Sequence, residues 1–503
     1  MPRQAKSVSL PFIGALDRAA GDLSQQLAHA LRVAIRRGDL REGELLPSTR
    51  VLARALRVAR GTVVEAFEQL VAEGFLESRR GASTWVTRSA SREGIRTSEQ
   101  ASPHARTRAL PDFAATFTRV AQQFSALPSV PFAISVPTGA TAPGEVWRRL
   151  GNRIRARGPA APAGYSDAQG ALPLREAIAE YVRRSRSVRC EPGQVIITSG
   201  TQHWLYLSSQ VLVGLSDSTW VENPAYPGLT AILASTGRGD GMIRVPVDEE
   251  GLDVEAGTRM APNAVAAFVT PSHQYPLGMP MSIRRRAALL EWAREGGAWI
   301  VEDDYDSEMR YAGHPFPSLQ GLDRDRVVYL GTFSKVLFPS LRLGYAIVPD
   351  ALVSPFCGAR ILMDRHPPNA DQHVLAAFIS EGHLDRHIRR MRGIYAEQRM
   401  HLVKLLDSLL PTTLGRVQVC DQGMHMVVWL REDIDDREVV AAAAGKGVAV
   451  RAVSRMYAKG TERSGLLLGF GGFTVDQIES AVRRLVDVVA ARDGPSADRS
   501  GNR

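Results

Sequence analysis

The sequence predicts two folded units, a small α+β unit at the N-terminus and a large α/β domain behind it. Three observations predict this. Residues 1–88 carry short helical patterns that end in a hairpin pattern. Residues 89–130 interrupt them as an expected flexible linker, since Ser89 to Pro111 is rich in Ser, Ala, Arg, Thr and Glu without apolar periodicity. From 131 to 488, short apolar runs alternate with amphipathic helices, the mark of a βαβ sheet.

The composition fits this division. Of the 503 residues, 44% are hydrophobic and 23% charged, ordinary for a globular chain. No apolar run approaches the ~20 residues of a membrane helix, so no membrane partner is expected. The mildly basic N-terminus has too short an apolar run for a signal peptide. Cys190, Cys357 and Cys420 are far apart and in no metal spacing. They point to a reducing cytoplasm and no disulfide scaffold.

In the first unit, Leu23, Leu27, Leu31, Ala34 and Ile35 recur at helical spacing, and Gly38 ends the segment. Pro47-Ser48-Thr49 opens a second, short helix with Ser48 as N-cap and Val51, Leu52, Ala55 and Leu56 as its apolar face. After the turn Arg57-Val58-Ala59, a third helix buries Val63, Phe67, Leu70 and Val71, and Gly74 stops it. Phe75–Ser78, a turn at Arg79-Arg80-Gly81, and Ser83–Val86 form the hairpin. This order is that of a winged helix-turn-helix. Residues 1–88 hold 14 Lys/Arg against nine Asp/Glu, a net of +5. Arg50, Arg54, Arg57 and Arg60 cluster at the turn, and such fixed cations suit DNA phosphates. Short amphipathic helices with surface Arg are also common in any helical domain.

Three segments narrow the choice: Leu46-Pro47-Ser48-Thr49-Arg50-Val51-Leu52-Ala53, Arg60-Gly61-Thr62-Val63-Val64, and Phe67–Leu76. Together they resemble the DNA-binding domain of GntR-type transcription regulators over its full length. The resemblance implies Arg50, Arg60, Thr62 and the wing Gly81 as DNA contacts, and the charge at the wing tip adds Arg79 and Arg80. The wing reads Gly81-Ala82-Ser83-Thr84, a mild departure from the family's Gly-Ser-Gly-Thr.

The second unit is organised around Gly331–Gly344, centred on Lys335. The chain has only five lysines among 62 Lys+Arg. A Lys with a lowered pKa can become a nucleophile, whereas an Arg stays protonated. Expected strands are 194–198, 219–221, 264–270, 299–302, 327–330 and 342–348. Candidate residues fall at their ends, where open α/β sheets bind ligands. Gly200-Thr201 open a helix and suit a phosphate. Tyr226 can stack on a flat ring or merely pack its loop. His273 and Gln274 lie in a polar loop, and a lone His is more often structural. Glu302-Asp303-Asp304-Tyr305-Asp306 needs a cationic answer if buried. Metal is one reading and a protonated pyridine nitrogen the other.

The order phosphate loop, aromatic, polar loop, Asp/Tyr, Lys, Arg resembles fold-type I pyridoxal phosphate (PLP) enzymes, the aspartate aminotransferase-like proteins, with a large and a small subdomain. The resemblance implies Lys335 as the Schiff-base lysine, carrying PLP as an internal aldimine, and Asp303 at the pyridine nitrogen. It places Tyr305 at the ring oxygen and Tyr226 on the ring face. Gly200, Thr201, Thr332, Ser334 and Arg342 fall at the phosphate. His273 or Gln274 stands where the family carries Asn. The family's substrate-carboxylate Arg aligns with Leu467, and Arg451, Arg455 and Arg463 are expected out of place. That loss argues against an ordinary amino acid held in the usual way.

The fusion resembles the MocR-type branch of GntR regulators. It implies promoter DNA as partner, a domain-swapped homodimer, and an effector that is an amine, an amino acid, a sulfonate or PLP itself. A non-enzymatic sensor at the nucleoid is expected, with a working aminotransferase as the alternative. The effector domain is expected to end near 488, with a disordered polar tail over 489–503.

Overall fold

The computed structural model describes residues 13, 16–79, 83–87, 112–123, 129–134, 136–137, 143–156, 164–314 and 316–492. The chain forms two compact units, 1–109 and 110–503.

In the first, helices α1 (Leu23–Arg37), α2 (Thr49–Leu56) and α3 (Arg60–Ala72) precede a hairpin of β1 (Leu76–Ser78) and β2 (Thr84–Val86). The local signals act as read. Gly38 caps α1 in the left-handed conformation, and Ser48 accepts from the Val51 amide. The core gathers Leu27, Leu31, Leu52, Val63, Phe67 and Leu70. Three expected apolar positions face solvent: Ala55 is exposed, Val51 is 45% and Val71 37% exposed, while Ala53 and Ala66 are buried. Arg80 and Gly81, expected at the wing tip, lie outside the described residues.

The second unit opens with α4 (Asp112–Gln123), α5 (Gly144–Arg155) and α6 (Leu172–Arg186). Helix α4 falls inside the stretch expected to be tether, so the irregular segment cannot run through to 130. There follow β3 (Val195–Thr198), α7 (Thr201–Leu212), β4 (Thr219–Asn223), α8 (Pro227–Ser235), β5 (Met242–Asp248), β6 (Gly251–Leu252) and α9 (Val254–Met260). Then come β7 (Ala266–Val269), α10 (Ile283–Gly296), β8 (Trp299–Asp304), α11 (Leu319–Leu322), β9 (Val327–Thr332) and β10 (Gly344–Ile347). Among the described residues these strands form one eight-stranded sheet, in the order β3-β10-β9-β8-β7-β4-β5-β6. Strands β9, β8, β7, β4 and β5 run parallel, and β10 is antiparallel to both its neighbours. The carboxyl ends of β3, β4, β7, β8 and β9 therefore share one edge. The central strands are buried along their whole length, as a sheet covered on both faces requires.

Helices α12 (Asp350–Met363), α13 (Ala370–Ser380) and α14 (His383–Leu409) lead to a smaller sheet. It consists of β11 (Gly415–Gln418), β12 (His425–Leu430), β13 (Arg451–Ala452) and β14 (Gly465–Gly469), in the order β11-β12-β14-β13, with α15 (Asp436–Gly445) and α16 (Val475–Ala490). Helix α16 continues past the expected domain end at 488, and Val489 is buried, so the tail cannot begin there.

Candidate functional site

Five strand ends and the small sheet enclose a cavity of about 310 Å³. Lys335, Asp303, Tyr305, Tyr226, Gly200, Thr201, Thr332, Ser334 and Arg342 all line it. The nine residues come from stretches up to 142 positions apart, and the common edge of the sheet brings them together.

Each is held by local structure. Gly200 sits at φ 105°, which side-chain-bearing residues rarely adopt, and caps α7. A Cβ there would meet the Arg342 guanidinium at 3.6 Å. Arg342 itself stands in the left-handed conformation at φ 51°, after a short 3₁₀ turn. The Ser334 amide donates to Thr332 Oγ1 at 3.2 Å, tightening the turn that leads into Lys335. Small residues, first-turn amides and one guanidinium thus form an anion cradle. Tyr226 donates to Gln202 Oε1 at 3.0 Å and is held edge-on to Tyr275.

The acidic run after β8 does not converge on one point. Glu302 accepts from the Leu319 and Gln320 amides and so caps α11. Asp304 takes Arg186 at 2.7 Å and the Tyr329 hydroxyl at 2.6 Å. Asp306 takes His273 Nδ1 at 2.9 Å. Only Asp303 faces the cavity, because a strand alternates its side chains between faces. Its Oδ1 is sealed from solvent and has no hydrogen-bond partner among the described residues. Burial, then the neighbouring Asp304, pushes its carboxyl up to about 8. Burial lowers Lys335 to about 8, with Asp306 and Asp303 opposing and Arg451 and Arg342 adding to the shift.

His273 and Gln274 do not line the cavity. Gln274 is spent on Glu222, on the Pro224 and Tyr275 carbonyls and on the Leu277 amide. His273 lies behind Tyr305, whose hydroxyl is 3.0 Å from its Nδ1. Burial lowers this imidazole, but Asp306 and Cys420 together raise it to about 10. The loop residue that reaches the cavity is Tyr275, one place beyond Gln274, because Gln274 turns inward to close its own turn.

The expectation about Arg is also corrected. Arg463 stacks over Trp429, but Arg451 lines the cavity. It sits on β13 directly opposite Leu467 of β14, so the two share a face of the small sheet. No sequence signal pointed to Arg451 or Tyr275. Thr270, also missed, follows directly on the end of β7, which was the available clue, and Gln202, missed as well, is the second residue of α7.

In the first unit, Arg50, Arg54, Arg57, Arg60 and Arg79 are exposed and Thr62 is half-buried. Arg60 donates to Thr49 Oγ1 at 3.4 Å, which links the starts of α2 and α3. Ala59 provides no side-chain cap, so the first amides of α3 lack that partner.

Residues 130–485 match the family of class I and II aminotransferases, and residues 23–86 match the bacterial regulatory proteins of the gntR family. One relative carries both along its length. The probable rhizopine catabolism regulatory protein MocR of Rhizobium meliloti is 36% identical over 96% of this chain and 97% of its own. The chain belongs to the MocR-type branch of the GntR regulators. The pyridoxine biosynthesis regulator PdxR of Corynebacterium glutamicum is 32% identical to this MocR-type chain, over 92% and 95% of the two. Among solved structures, LysN, an α-aminoadipate aminotransferase of Thermus thermophilus complexed with N-(5'-phosphopyridoxyl)-L-leucine, superposes with a TM-score of 0.68. It is 26% identical and covers 76% of this chain and 97% of its own.

Proposed function

We propose that this MocR-type chain is a transcription regulator that holds pyridoxal phosphate at Lys335 and senses an amine-bearing effector there. The observation that carries the reading is the unpaired, sealed Asp303 oxygen facing a cavity that also holds Lys335 and an anion cradle. A buried carboxylate without a partner is costly, and a protonated pyridine nitrogen would answer it. The cradle of Gly200, Thr201, Thr332, Ser334 and Arg342 fits the phosphate. Tyr226 would cover the ring face and Tyr305 reach its phenolic oxygen. The cofactor, once bound, supplies an aldehyde and an electron sink.

The chain's own residues prepare the site. Lys335, lowered to about 8, has about a tenth of its amine neutral at pH 7, far more than an ordinary lysine. Tyr226 and Tyr305 exclude water from the ring. His273 and Asp306 hold Tyr305 from behind. The first unit reads promoter DNA through Arg50, Arg60 and Thr62, with Arg79, Arg80 and Gly81 at the wing. A homodimer, domain-swapped, would present two readers to paired half-sites in the cytoplasm, at the nucleoid. The relatives named as regulators along their whole length favour sensing over turnover.

Purified protein should carry a visible absorbance band, and borohydride should fix the cofactor to the peptide containing Lys335. Lys335→Ala should lose both. An adduct that persists elsewhere on Lys335→Ala would sink the assignment.

A further inference from the structure

Cys420 differs from the other two cysteines in what lies beside it. Burial pushes the Cys190 thiol up to about 11 and raises the Cys357 thiol as well. Cys420 is half-buried just beyond β11, between Val419, which is 54% exposed, and the exposed Asp421. Its Sγ donates to the Gly278 carbonyl at 2.8 Å.

Behind the thiol stands His273, which is buried outside the cavity. Its Nε2 is sealed from solvent and has no hydrogen-bond partner among the described residues. Such an orphaned atom is costly unless something answers it. A Cβ built on Gly278 would lie 3.1 Å from this nitrogen and 3.5 Å from the Cys420 Sγ, so both atoms border one small space. The other ring nitrogen, Nδ1, is held by Asp306 at 2.9 Å and lies 3.0 Å from the Tyr305 hydroxyl. Asp306 is fixed in turn by the Met424 amide at 3.3 Å. With its value raised to about 10, His273 carries a proton on both nitrogens at pH 7. His425 beside it, lowered to about 3 by burial and by His273, stays neutral. Thiol, imidazole and carboxylate therefore stand in the order in which an oriented histidine serves a sulfur nucleophile.

We propose that Cys420, His273 and Asp306 form a peroxide-reactive thiol site, separate from the cavity, whose oxidation is passed to Tyr305. The Cys420 thiolate attacks one oxygen of the peroxide. An S–O bond forms as the O–O bond breaks, so sulfur is oxidised to the sulfenic acid and the peroxide is reduced. The departing hydroxide takes the His273 Nε2 proton and leaves as water. Asp306 is the positioning residue, since it holds the ring through Nδ1. Because Nδ1 also meets the Tyr305 hydroxyl, a changed proton on the imidazole reaches the wall of the cavity. A thiol reductant reverses the step, as it does for sulfenic acids in general.

The test treats cofactor-loaded protein with hydrogen peroxide and traps sulfenic acid with dimedone, counting label on each cysteine peptide. Cys420 should label about tenfold or more faster than Cys190 or Cys357, and His273→Gln should slow Cys420 by a similar factor. The visible band should shift with peroxide and return with dithiothreitol in wild type, and should not respond in Cys420→Ser. Wild type in which Cys190 or Cys357 labels as fast as Cys420 overturns the site, and this comparison needs no variant to fold. Folded His273→Gln that labels at the wild-type rate overturns it too. A band that responds equally in Cys420→Ser overturns the link to Tyr305. Protein that holds no cofactor at Lys335 overturns the earlier reading instead, and the labelling rates still decide the thiol site.

Discussion

Asp303 is the residue at which binding and stability conflict. Without a pyridinium, its carboxyl is buried, beside Asp304, and pushed up to about 8. The folded apo protein then holds a proton that the unfolded chain releases near 3.8, so raising pH through about 4 to 8 costs stability. Lys335 has the opposite sign. Its folded value of about 8 lies below 10.5, so raising pH through that window stabilises the fold. Asp303→Asn removes the first effect and, by taking away a charge that holds Lys335 up, lowers Lys335 further. Apo Asp303→Asn should be more stable than apo wild type near pH 8, and the gap should close towards pH 4. The same variant should lose cofactor affinity by about tenfold or more. Thermal melts across pH, with and without cofactor, check both. Gly344 is a second exacting position. A Cβ there would lie 2.9 Å from the Gly200 Cα, so Gly344→Ala should displace the cradle and weaken cofactor binding. Dialysis retention of the visible band measures it.

At the scale of elements, one arginine binds the site together. Arg186, at the end of α6, donates to Asp304 of β8 at 2.7 Å and to Ser272 after β7 at 2.8 Å. Tyr329 of β9 donates to the same Asp304 oxygen at 2.6 Å, and both charged side chains are almost fully buried. Removing one partner of such a pair costs about 3–5 kcal/mol. Arg186→Met should lower the unfolding free energy measured in denaturant by that amount, and Asp304→Asn in the same chain should recover much of it. This scale also shows what could be read from sequence. Strands β3, β4, β7, β8 and β9 announced themselves, because each is a buried apolar run followed by a loop of chemically distinctive residues. Lys335 and Asp303 were legible for the same reason. Strand β13 is only two residues long, and its pairing to β14 is a tertiary choice with no local pattern. Arg451 was therefore invisible until the small sheet was in place. His273 and Gln274 failed by a single step, since the inward turn of Gln274 decides which loop residue faces the cavity.

For the whole molecule, two compact units divide the labour. The first carries exposed arginines at the start of α2 and α3, and a phosphate contact made by any of them would release counterions. Arg60→Ala should weaken binding to the protein's own promoter region and flatten the plot of log affinity against log salt by about 0.9. Sensing demands more than binding at both ends. An effector shifts DNA affinity only as far as it binds the two DNA-linked states differently, about 5- to 150-fold for ordinary couplings. Linkage is reciprocal, so operator DNA must change effector affinity by the same factor. Lys335→Ala should bind DNA with a fixed affinity near that of the effector-free protein and lose the response. The decisive measurement is a closed cycle: DNA affinity with and without effector, and effector affinity with and without DNA. Equal factors on the two sides establish coupling between the cavity and the reader. A factor of one on both sides would make the second unit a passenger on a DNA-binding domain, and would favour turnover of the amine as its role.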